Sequence, residues 1–402
     1  PARPPPPPCP RAEQTPPPPP PKRAPSKVEV ELPPKPAPEK LRKEAKRAYY
    51  ATDGPRSQRE LSNVFKLGAK NFVVELNEIV LAVGARLGFG VPPSRTLPDC
   101  LLLTLSNDAV NAREHAREAA MEAAAAAAGT RALTVANLSW PTRVVYRVVC
   151  WYIDVAFVGR PIPRLWFLEI VARMPYFAYT SCLHLYATLG WWRSAELMNI
   201  HYSEQVNEAF HCAVCETLGG DRRWFDRFTA FHGAIAYYWI LVVQFFLSPS
   251  ESYAFSHALE MHAVDTYGQF VDENEETLKR LPVPQVARKY FEEFLYYFDE
   301  FQTESDGVRR PVLNSLYDVF INILEDELQH SKTMEACVDY TRDQKPVKYR
   351  GRDMQSHGRD SRPYMTSDER TAYWDNWRES QGNAAAETDE AVEEARASND
   401  GK

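Results

Sequence analysis

The sequence predicts an all-α fold, and three observations lead to that prediction. Between residues 140 and 338, apolar residues recur at helical spacing, and no stretch alternates between apolar and polar residues as a half-buried strand does. Gly and Pro residues interrupt this region at intervals of about one helix length. Seven of the nine tryptophans lie between Trp140 and Trp239, so large apolar side chains are concentrated where a buried core needs them.

Six helices are predicted within residues 140–338. They cover residues 165–189, 194–218, 223–247, 250–270, 284–301 and 311–338. The first contains Pro175, which predicts a kink, and Gly190 ends it. The second ends at Gly219-Gly220, and the third ends at Ser248-Pro249. Long helices joined by short turns indicate a helical bundle.

The flanking segments differ in composition from this region. Of the 32 prolines, 18 fall within residues 1–40, and such a segment cannot bury enough apolar surface to offset its ordering entropy. We therefore expect residues 1–60 to be disordered. Residues 61–139 are poorly defined, apart from an Ala-rich stretch at 107–128 that predicts a solvated spacer helix. Residues 339–402 are polar and charged and predict a disordered tail.

Charge, cysteine content and hydropathy exclude several classes of protein. A net charge of -7 argues against nucleic-acid binding, which needs a concentrated basic surface. Seven cysteines spread from Cys9 to Cys337 do not resemble a disulfide framework, which favours a reducing compartment. The longest apolar run, 235–247, falls short of the roughly 20 residues that cross a bilayer. No secretory signal is visible, and because the chain begins with Pro, we expect the true N-terminus to lie upstream.

Two Glu-x-x-His pairs are the most informative motifs. Glu208 and His211 lie one helical turn apart, as do Glu327 and His330, so each pair can reach a single point. One pair alone would carry little weight, because Glu is common. The chain also contains two reversed pairs, His201/Glu204 and His257/Glu260. Two pairs on separate apolar helices are more specific, since a carboxylate facing a core must be paired or bind metal.

Two further carboxylates would complete a di-metal site. In one known arrangement, two helices each give one Glu and two others each give a Glu-x-x-His. Glu169 and Glu260 are candidates for the single positions. Four carboxylates and two imidazoles suit iron or manganese. The pattern leaves alternatives open: a surface position for Glu169, His257 or His262 in place of Glu260, and a zinc site at Cys212 and Cys215.

Eight short segments between about residue 145 and residue 337 carry further recognisable motifs: 168–177, 190–193, 207–211, 218–220, 224–228, 247–249, 298–302 and 316–320. Together with the Glu-x-x-His pairs, these segments resemble the alternative oxidase family, and in particular its plastid branch. The stretch Tyr-Phe-Asp-Glu-Phe-Gln at 297–302 is similar to the plastid branch rather than the mitochondrial one. One departure is Phe245, where the plastid branch typically has Tyr.

The resemblance implies a ferritin-like four-helix di-iron bundle with additional interfacial membrane helices. The six iron ligands of the family fall on Glu169, Glu208, His211, Glu260, Glu327 and His330. The resemblance therefore favours Glu260 over its histidine neighbours. The redox-active tyrosine of the family falls on Tyr267, and Asp326 and His184 fall on further positions that the family uses near its metals.

The implied activity is that of a plastoquinol:oxygen oxidoreductase with two iron ions, which reduces O2 to water and pumps no protons. The resemblance also implies a monotopic enzyme on the stromal face of the thylakoid membrane in a plastid. We further expect a homodimer and no nucleic-acid partner. The alternatives are another ferritin-like di-iron oxygenase and a catalytically inactive, membrane-associated helical scaffold.

Two segments are compatible with a membrane-surface location. Residues 140–158 and the outer face of 164–186 combine aromatic and aliphatic side chains with basic ones, as helices that lie in the interface plane do. The basic residues are Arg143, Arg147, Arg164 and Arg173.

Overall fold

Helices make up nearly all the regular structure in the part of the chain that is described. The structure is a computed structural model, and it describes residues 62–89, 103–293, 312–349, 352–354 and 357–358, together with residues 372, 375 and 376. Within these residues the α-helices are α1 (Val64–Arg86), α2 (Asn107–Ala128), α3 (Trp140–Ala156), α4 (Pro161–Thr188), α5 (Ala195–Thr217), α6 (Trp224–Leu247), α7 (Pro249–Leu278), α8 (Gln285–Arg288) and α9 (Leu316–Asp343). The predicted all-α fold is confirmed.

Short elements complete the described structure. A 3₁₀ turn covers Val135–Asn137, and a π-helical turn covers Lys289–Glu293. The strands are β1 (Trp192–Arg193), β2 (Lys348–Tyr349), β3 (Arg352–Asp353) and β4 (His357–Gly358). β1 pairs antiparallel with β4, and β2 pairs antiparallel with β3.

Four long helices, α4, α5, α7 and α9, form the central bundle. α4 packs along α5, α7 packs along α9, and α6 lies against both α4 and α7. Two apolar clusters fill the bundle: one includes Trp166 and Phe320, and the other includes Tyr179 and Phe255. On α7 the second cluster ends at Ala258 and the first begins at Tyr267. Buried polar residues between the two clusters therefore lie in a layer near the middle of the bundle.

Side-chain caps fix where the bundle helices begin. The Ser194 hydroxyl accepts a hydrogen bond from the backbone N–H of Leu197 at 3.2 Å, which starts α5. The Ser248 hydroxyl accepts from Glu251 and is followed by Pro249, so the Ser-Pro pair that ends α6 also starts α7. At α9, Ser315 forms a capping box.

The predicted helices agree with α4, α5, α6 and α9 to within a few residues at each end. α7 differs most, because it continues to Leu278, eight residues beyond the predicted end. That extension is acidic, and Asn274 in it exchanges hydrogen bonds with the backbone of Thr104 at 2.9 and 2.7 Å. Of the helix predicted at 284–301, the structure describes residues to Glu293, and the remainder lies outside the described residues.

α2 differs from the solvated spacer that the Ala-rich sequence predicts. Arg117 pairs with Asp265 of α7 at 2.9 Å, and Glu114 pairs with His262 of α7 at 3.0 Å. Val110 is fully buried. The helix packs through charged side chains, which explains why it shows no apolar stripe in the sequence.

Residues outside the bundle are also partly described. α1 is joined to α6 by an ion pair of 2.7 Å between Glu75 and Arg227. In the segment expected to be a disordered tail, α9 continues to Asp343, and Val347 and Met354 are buried. The Pro-rich segment at residues 1–60 lies outside the described residues.

Three features bear on the expected membrane contact. α6 is 24 residues long, and its length and composition would let it cross a membrane, which corrects the expectation drawn from the shorter run at 235–247. The core helix of a soluble protein can pass the same test, and 33% of the most apolar window of α6 is buried. Arg164 is only 1% exposed and pairs with Asp154, so it does not belong to the basic surface that the sequence suggested.

Candidate metal centre

A cluster of carboxylates and imidazoles lies in the middle of the bundle, between the two apolar clusters. Each member is at most 2% exposed. The members are Glu169, Glu208, His211, Glu260, Glu327 and His330. α4 and α7 contribute one Glu each, whereas α5 and α9 contribute a Glu-x-x-His each. The structure thus brings together all six residues that the sequence suggested as ligands.

The six residues form two overlapping groups. Glu169 and His211 belong to one group, and Glu260 and His330 belong to the other. Both groups contain Glu208 and Glu327. Within each group, one donor atom from every residue lies within 4.8 Å of the others, so each group could hold a metal ion. The shared carboxylates are then available to both ions.

Contacts across the cluster are reciprocal. Nδ1 of His211 on α5 lies 3.0 Å from Oε1 of Glu327 on α9. Nδ1 of His330 on α9 lies 2.7 Å from Oε1 of Glu208 on α5. Each Glu-x-x-His therefore places its histidine against the glutamate of the other, which gives the cluster an approximate two-fold symmetry.

Two tyrosines extend the same symmetry. Tyr176 lies seven residues after Glu169 on α4, and Tyr267 lies seven residues after Glu260 on α7, so each shares a helix face with its own glutamate. The Tyr267 hydroxyl donates to Oε1 of Glu169, and the Tyr176 hydroxyl donates to Oε1 of Glu260 at 2.8 Å. Each tyrosine therefore crosses to the glutamate of the other helix.

Asp326 supports the cluster from behind His211. Its Oδ2 lies 3.1 Å from Nε2 of His211, and the Asn207 amide donates to the same oxygen at 3.0 Å. Asn207 also donates to the Tyr290 hydroxyl at 2.6 Å. A carboxylate on the far nitrogen of a metal-binding histidine fixes the ring orientation and raises the basicity of the ligand nitrogen.

Without metal, the cluster holds protons. Burial raises the pKa of Glu208 and Glu260 well above the usual range, and the neighbouring carboxylates add to the shift. Burial would also raise the pKa of Glu327, but the two neighbouring imidazoles favour the charged carboxylate, outweigh burial and lower this pKa to about 2. Burial lowers the pKa of His211, but the neighbouring carboxylates of Glu169 and Glu327 favour the imidazolium, outweigh burial and raise this pKa to about 10. Metal ions must displace these protons.

The orphaned oxygens of the cluster fit a metal. Among the residues that the structure describes, the Oε2 atoms of four carboxylates accept no hydrogen bond: those of Glu169, Glu208, Glu260 and Glu327. A buried acceptor without a partner costs about 1–3 kcal/mol, and more when it is charged. Cations coordinated by these oxygens would remove that cost. Hard oxygen and nitrogen donors suit iron or manganese.

The structure separates the remaining candidates from this cluster. His184 is exposed and lies fifteen residues after Glu169 on α4, about 22 Å along the helix axis. His257 contacts the Ser331 carbonyl, and His262 faces Glu114. Within the described ranges, neither metal-binding group includes a cysteine. Cys212 and Cys215 are buried on α5, and burial raises the pKa of both thiols.

Tyr176 and Asn207 were not predicted as site residues. Both lie in segments that carry the family resemblance, and Asn207 directly precedes Glu208. The spacing of Tyr176, two helical turns after Glu169, is the sequence feature that could have indicated it. Phe245, the departure from the plastid pattern, is buried against the rings of Tyr179 and Tyr253, with centroids 5.3 and 5.6 Å away.

Comparison with known proteins agrees with this geometry. Residues 105–339, more than half of the chain, match the sequence model of a family described as alternative oxidase. The chain is 47% identical over 187 residues to "Ubiquinol oxidase 4, chloroplastic/chromoplastic" of Arabidopsis thaliana, which covers 46% of this chain and 53% of that protein. The chain thus spans about half the length of this curated relative. No solved structure matches the chain at a significant level.

Proposed function

Because the chain belongs to the alternative oxidase family, we propose that it is a di-iron quinol oxidase, which oxidises plastoquinol and reduces O2 to water without pumping protons. The observation that carries this proposal is the pair of buried metal-binding groups that share Glu208 and Glu327. Two neighbouring sites with common carboxylates suit chemistry in which two metal ions act on one small molecule.

In this proposal, Glu169 and His211 would hold one iron, Glu260 and His330 would hold the other, and Glu208 and Glu327 would be available to both. Iron held there would supply the electron transfer to O2. The chain supplies fixed ligand geometry and a dry pocket, since both apolar clusters exclude water from the layer between them. Asp326 orients His211 through its Nε2, and Asn207 holds Asp326.

The protein also has to handle protons. Two quinols give up four electrons and four protons, and one O2 takes up the same numbers to form two waters, so the reaction balances without a pumped proton. We assign Tyr267 the redox role that the family resemblance implies for this position, and its hydroxyl donates to Glu169 at the edge of the centre.

Quinol oxidation by variants tests this proposal. Glu208→Ala and His330→Ala each remove a donor from the cluster, so we expect loss of bound iron and of quinol-dependent O2 consumption. Glu325→Ala, at an exposed position on the same helix as Glu327, is the matched control and should retain both. Quinol-dependent O2 consumption that persists in either cluster variant would contradict the assignment.

We also propose that the protein lies on a membrane surface, from which an apolar quinol enters. Five exposed side chains of α3 recur every three or four residues and so occupy one face: Trp140, Val144, Val148, Trp151 and Val155. α6 exposes a second apolar face that includes Ile235, Trp239 and Val243. Exposed apolar surface of this extent supports binding to an interface. The opposite side of α6 is packed in the bundle, which favours a helix lying in the interface over one that spans it.

Sedimentation with anionic liposomes tests the membrane contact. Val148→Asp with Trp151→Asp places two charges in the α3 face, and we expect at least a tenfold loss of liposome binding. Val312→Asp is the control, because Val312 is also exposed but precedes α9. Equal sedimentation of the two variants, or no binding by the unsubstituted protein, would refute the membrane contact.

The name of the relative and the mass of the protein bear on its cellular location and assembly. The name of the Arabidopsis relative includes "chloroplastic", and on that basis we propose a plastid location for this protein, at the stromal face of the thylakoid membrane. The homodimer stays a prediction, which the mass of the purified protein in detergent tests directly.

A further inference from the structure

A second buried polar cluster lies outside the metal centre. It consists of Tyr253 on α7 and of His201 and Glu204 on α5, none of which is more than 2% exposed. Nε2 of His201 lies 3.1 Å from the Tyr253 hydroxyl, and Nδ1 of His201 lies 3.1 Å from Oε2 of Glu204. A neutral imidazole satisfies both contacts when Nδ1 donates to Glu204 and Nε2 accepts from Tyr253.

Helix periodicity places this cluster close to the metal centre. His201 precedes Glu208 by seven residues on α5, and Tyr253 precedes Glu260 by seven residues on α7. Seven residues are about two turns, so both side chains lie on the same helix faces as these glutamates and about 10 Å along the axis. The reversed His-x-x-Glu pair at His201 therefore belongs to the buried face of α5.

Aromatic contacts connect the two clusters. The ring of Tyr176, whose hydroxyl donates to Glu260, lies 5.4 Å from the ring of His330 and 6.1 Å from that of His201. The rings of His201 and Tyr253 are stacked, with centroids 5.7 Å apart. Packed rings thus run without a gap from the metal centre to Tyr253.

The partner of the Tyr253 hydroxyl differs from those of the neighbouring tyrosines. Tyr176 and Tyr267 donate to carboxylates that would be ligands of the metal ions. The Tyr179 hydroxyl contacts the carbonyl of Ser252 and the hydroxyl of Ser256, which are not bases. Among these four tyrosines, only Tyr253 contacts a base that belongs to no metal-binding group. Loss of an electron makes a phenol strongly acidic, so a base in contact with it assists its oxidation.

We propose that Tyr253 is a second redox-active tyrosine, which gives one electron to the metal centre and its phenolic proton to Nε2 of His201. This inference rests on the proposed di-iron function, because the one-electron oxidant is the iron centre after it has reacted with O2. The products are a neutral tyrosyl radical and an imidazolium, which the Glu204 carboxylate stabilises through Nδ1. The radical is reduced again by one electron from a quinol through the metal centre, while the proton returns from His201.

Two observations support the coupling of electron and proton. Burial raises the pKa of Tyr253 well above its usual value, so the phenol stays protonated until an electron leaves. Oε1 of Glu204 has no hydrogen-bond partner among the described residues, so no other donor competes with the imidazolium for this carboxylate. The cluster can therefore hold one oxidising equivalent when O2 is reduced in the absence of quinol, which protects the metal-binding side chains from oxidation.

The test uses the iron-loaded, reduced protein mixed with O2 without quinol, frozen at set times and examined for tyrosyl radical by electron paramagnetic resonance. In Tyr267→Phe the radical should persist, and adding Tyr253→Phe should remove it. His201→Gln in the same background retains a hydrogen-bonding group but no base, so we expect at least a tenfold lower radical yield. Adding Tyr179→Phe is the matched control and should leave the yield unchanged.

Several results would overturn the inference. A radical of equal yield in Tyr267→Phe with and without Tyr253→Phe, at equal iron content, would show that Tyr253 only fills the core. A protein that binds iron but forms no radical would exclude the step as well. Quinol oxidation is measured separately, so a failure of the proposed oxidase activity is distinguishable from a failure of this inference. A chain that takes up no iron would overturn both.

Discussion

At the scale of single residues, the reciprocal contacts of Tyr176 and Tyr267 divide the metal centre into two halves. Tyr176 donates to Glu260, which belongs to one metal-binding group only, and Tyr267 donates to Glu169, which belongs to the other only. Each hydroxyl thus orients a carboxylate that serves a single ion. Partners of this kind affect metal affinity strongly, because they fix the direction of the ligand oxygen.

Tyr176→Phe should therefore loosen one of the two metal ions. We expect the affinity for that ion to fall by about 10- to 100-fold while the other is retained. Titration with Mn2+ measures this, because a coupled pair and an isolated ion give different electron paramagnetic resonance spectra. Tyr267→Phe should give the same partial loss at the other site, and Tyr179→Phe, whose hydroxyl binds Ser252 and Ser256, should give none. Unchanged titration of Tyr176→Phe would contradict the division into halves.

The sequence predicted the six residues of the metal centre better than the residues that hydrogen-bond to them. The Glu-x-x-His spacing alone indicated four of the six residues, because both members of a pair share one helix face. The helix pattern made Glu169 and Glu260 candidates only, since a single Glu on a helix more often lies at the protein surface, and the family resemblance selected them. Tyr176 was missed because its hydrogen bond depends on the rotation and register of α4 against α7, and no local pattern encodes either quantity.

At the scale of elements, the turn between α5 and α6 packs against α4 without space for a further atom. A Cβ added at Gly220 would collide with the Cβ of Trp166 and would lie 3.1 Å from the Cys215 carbonyl. Neither neighbour is the far end of a flexible side chain, so the backbone would have to move. This contact holds the end of α5 against the helix that carries Glu169.

Gly220→Ala should lower the free energy of unfolding by about 1–3 kcal/mol, the usual cost of overpacking. Thermal unfolding followed by circular dichroism measures the change. Gly233→Ala in α6 is the matched control, because nothing lies within 4 Å of a Cβ at that position. The control should be neutral or stabilising by up to about 1 kcal/mol, since Ala is the better helix former. Equal stability of the two variants would refute the close contact.

The contact between α7 and α9 should make stability depend on pH through His257. Burial outweighs the hydrogen bond to the Ser331 carbonyl and lowers the pKa of His257 to about 4 in the folded chain, below its ordinary value of 6.5. The unfolded chain then binds a proton that the folded chain does not. This contribution to stability is complete above pH 6.5 and is lost as pH falls to 4, by about 3 kcal/mol.

His257→Asn tests this prediction, because the Asn amide can still donate to the Ser331 carbonyl but does not titrate. Urea unfolding at several pH values between about 4 and 7 measures the slope for both proteins. The variant should lose less stability across this range than the unsubstituted protein does. Identical slopes would show that His257 does not contribute.

The sequence predicted where most bundle helices begin and end, but it did not predict how α2 packs. α4, α5, α6 and α9 followed from apolar periodicity and from Gly or Pro at their ends. α2 was predicted to be solvated because it lacks an apolar stripe, whereas Arg117 and Glu114 pack it against α7 through charge. Such contacts require complementary residues on a helix that is more than a hundred residues away in the chain, so they leave no local pattern.

At the scale of the whole molecule, the bundle places a charged layer between two apolar clusters. Four carboxylates and two imidazoles are held there without access to water, an arrangement that costs free energy unless cations are bound. The net charge of -7 for the chain includes these four carboxylates and therefore does not describe its surface. The proposed function requires that two iron ions occupy this layer.

The iron content of the purified protein tests this requirement without relying on any assay of activity. We expect about two iron ions per chain, and loss of both in Glu208→Ala, because Glu208 belongs to both metal-binding groups. The exposed control Glu325→Ala should retain the full content. Purified protein that contains no iron after reconstitution with ferrous ion, or Glu208→Ala protein that retains two irons per chain, would contradict a di-iron centre in this layer.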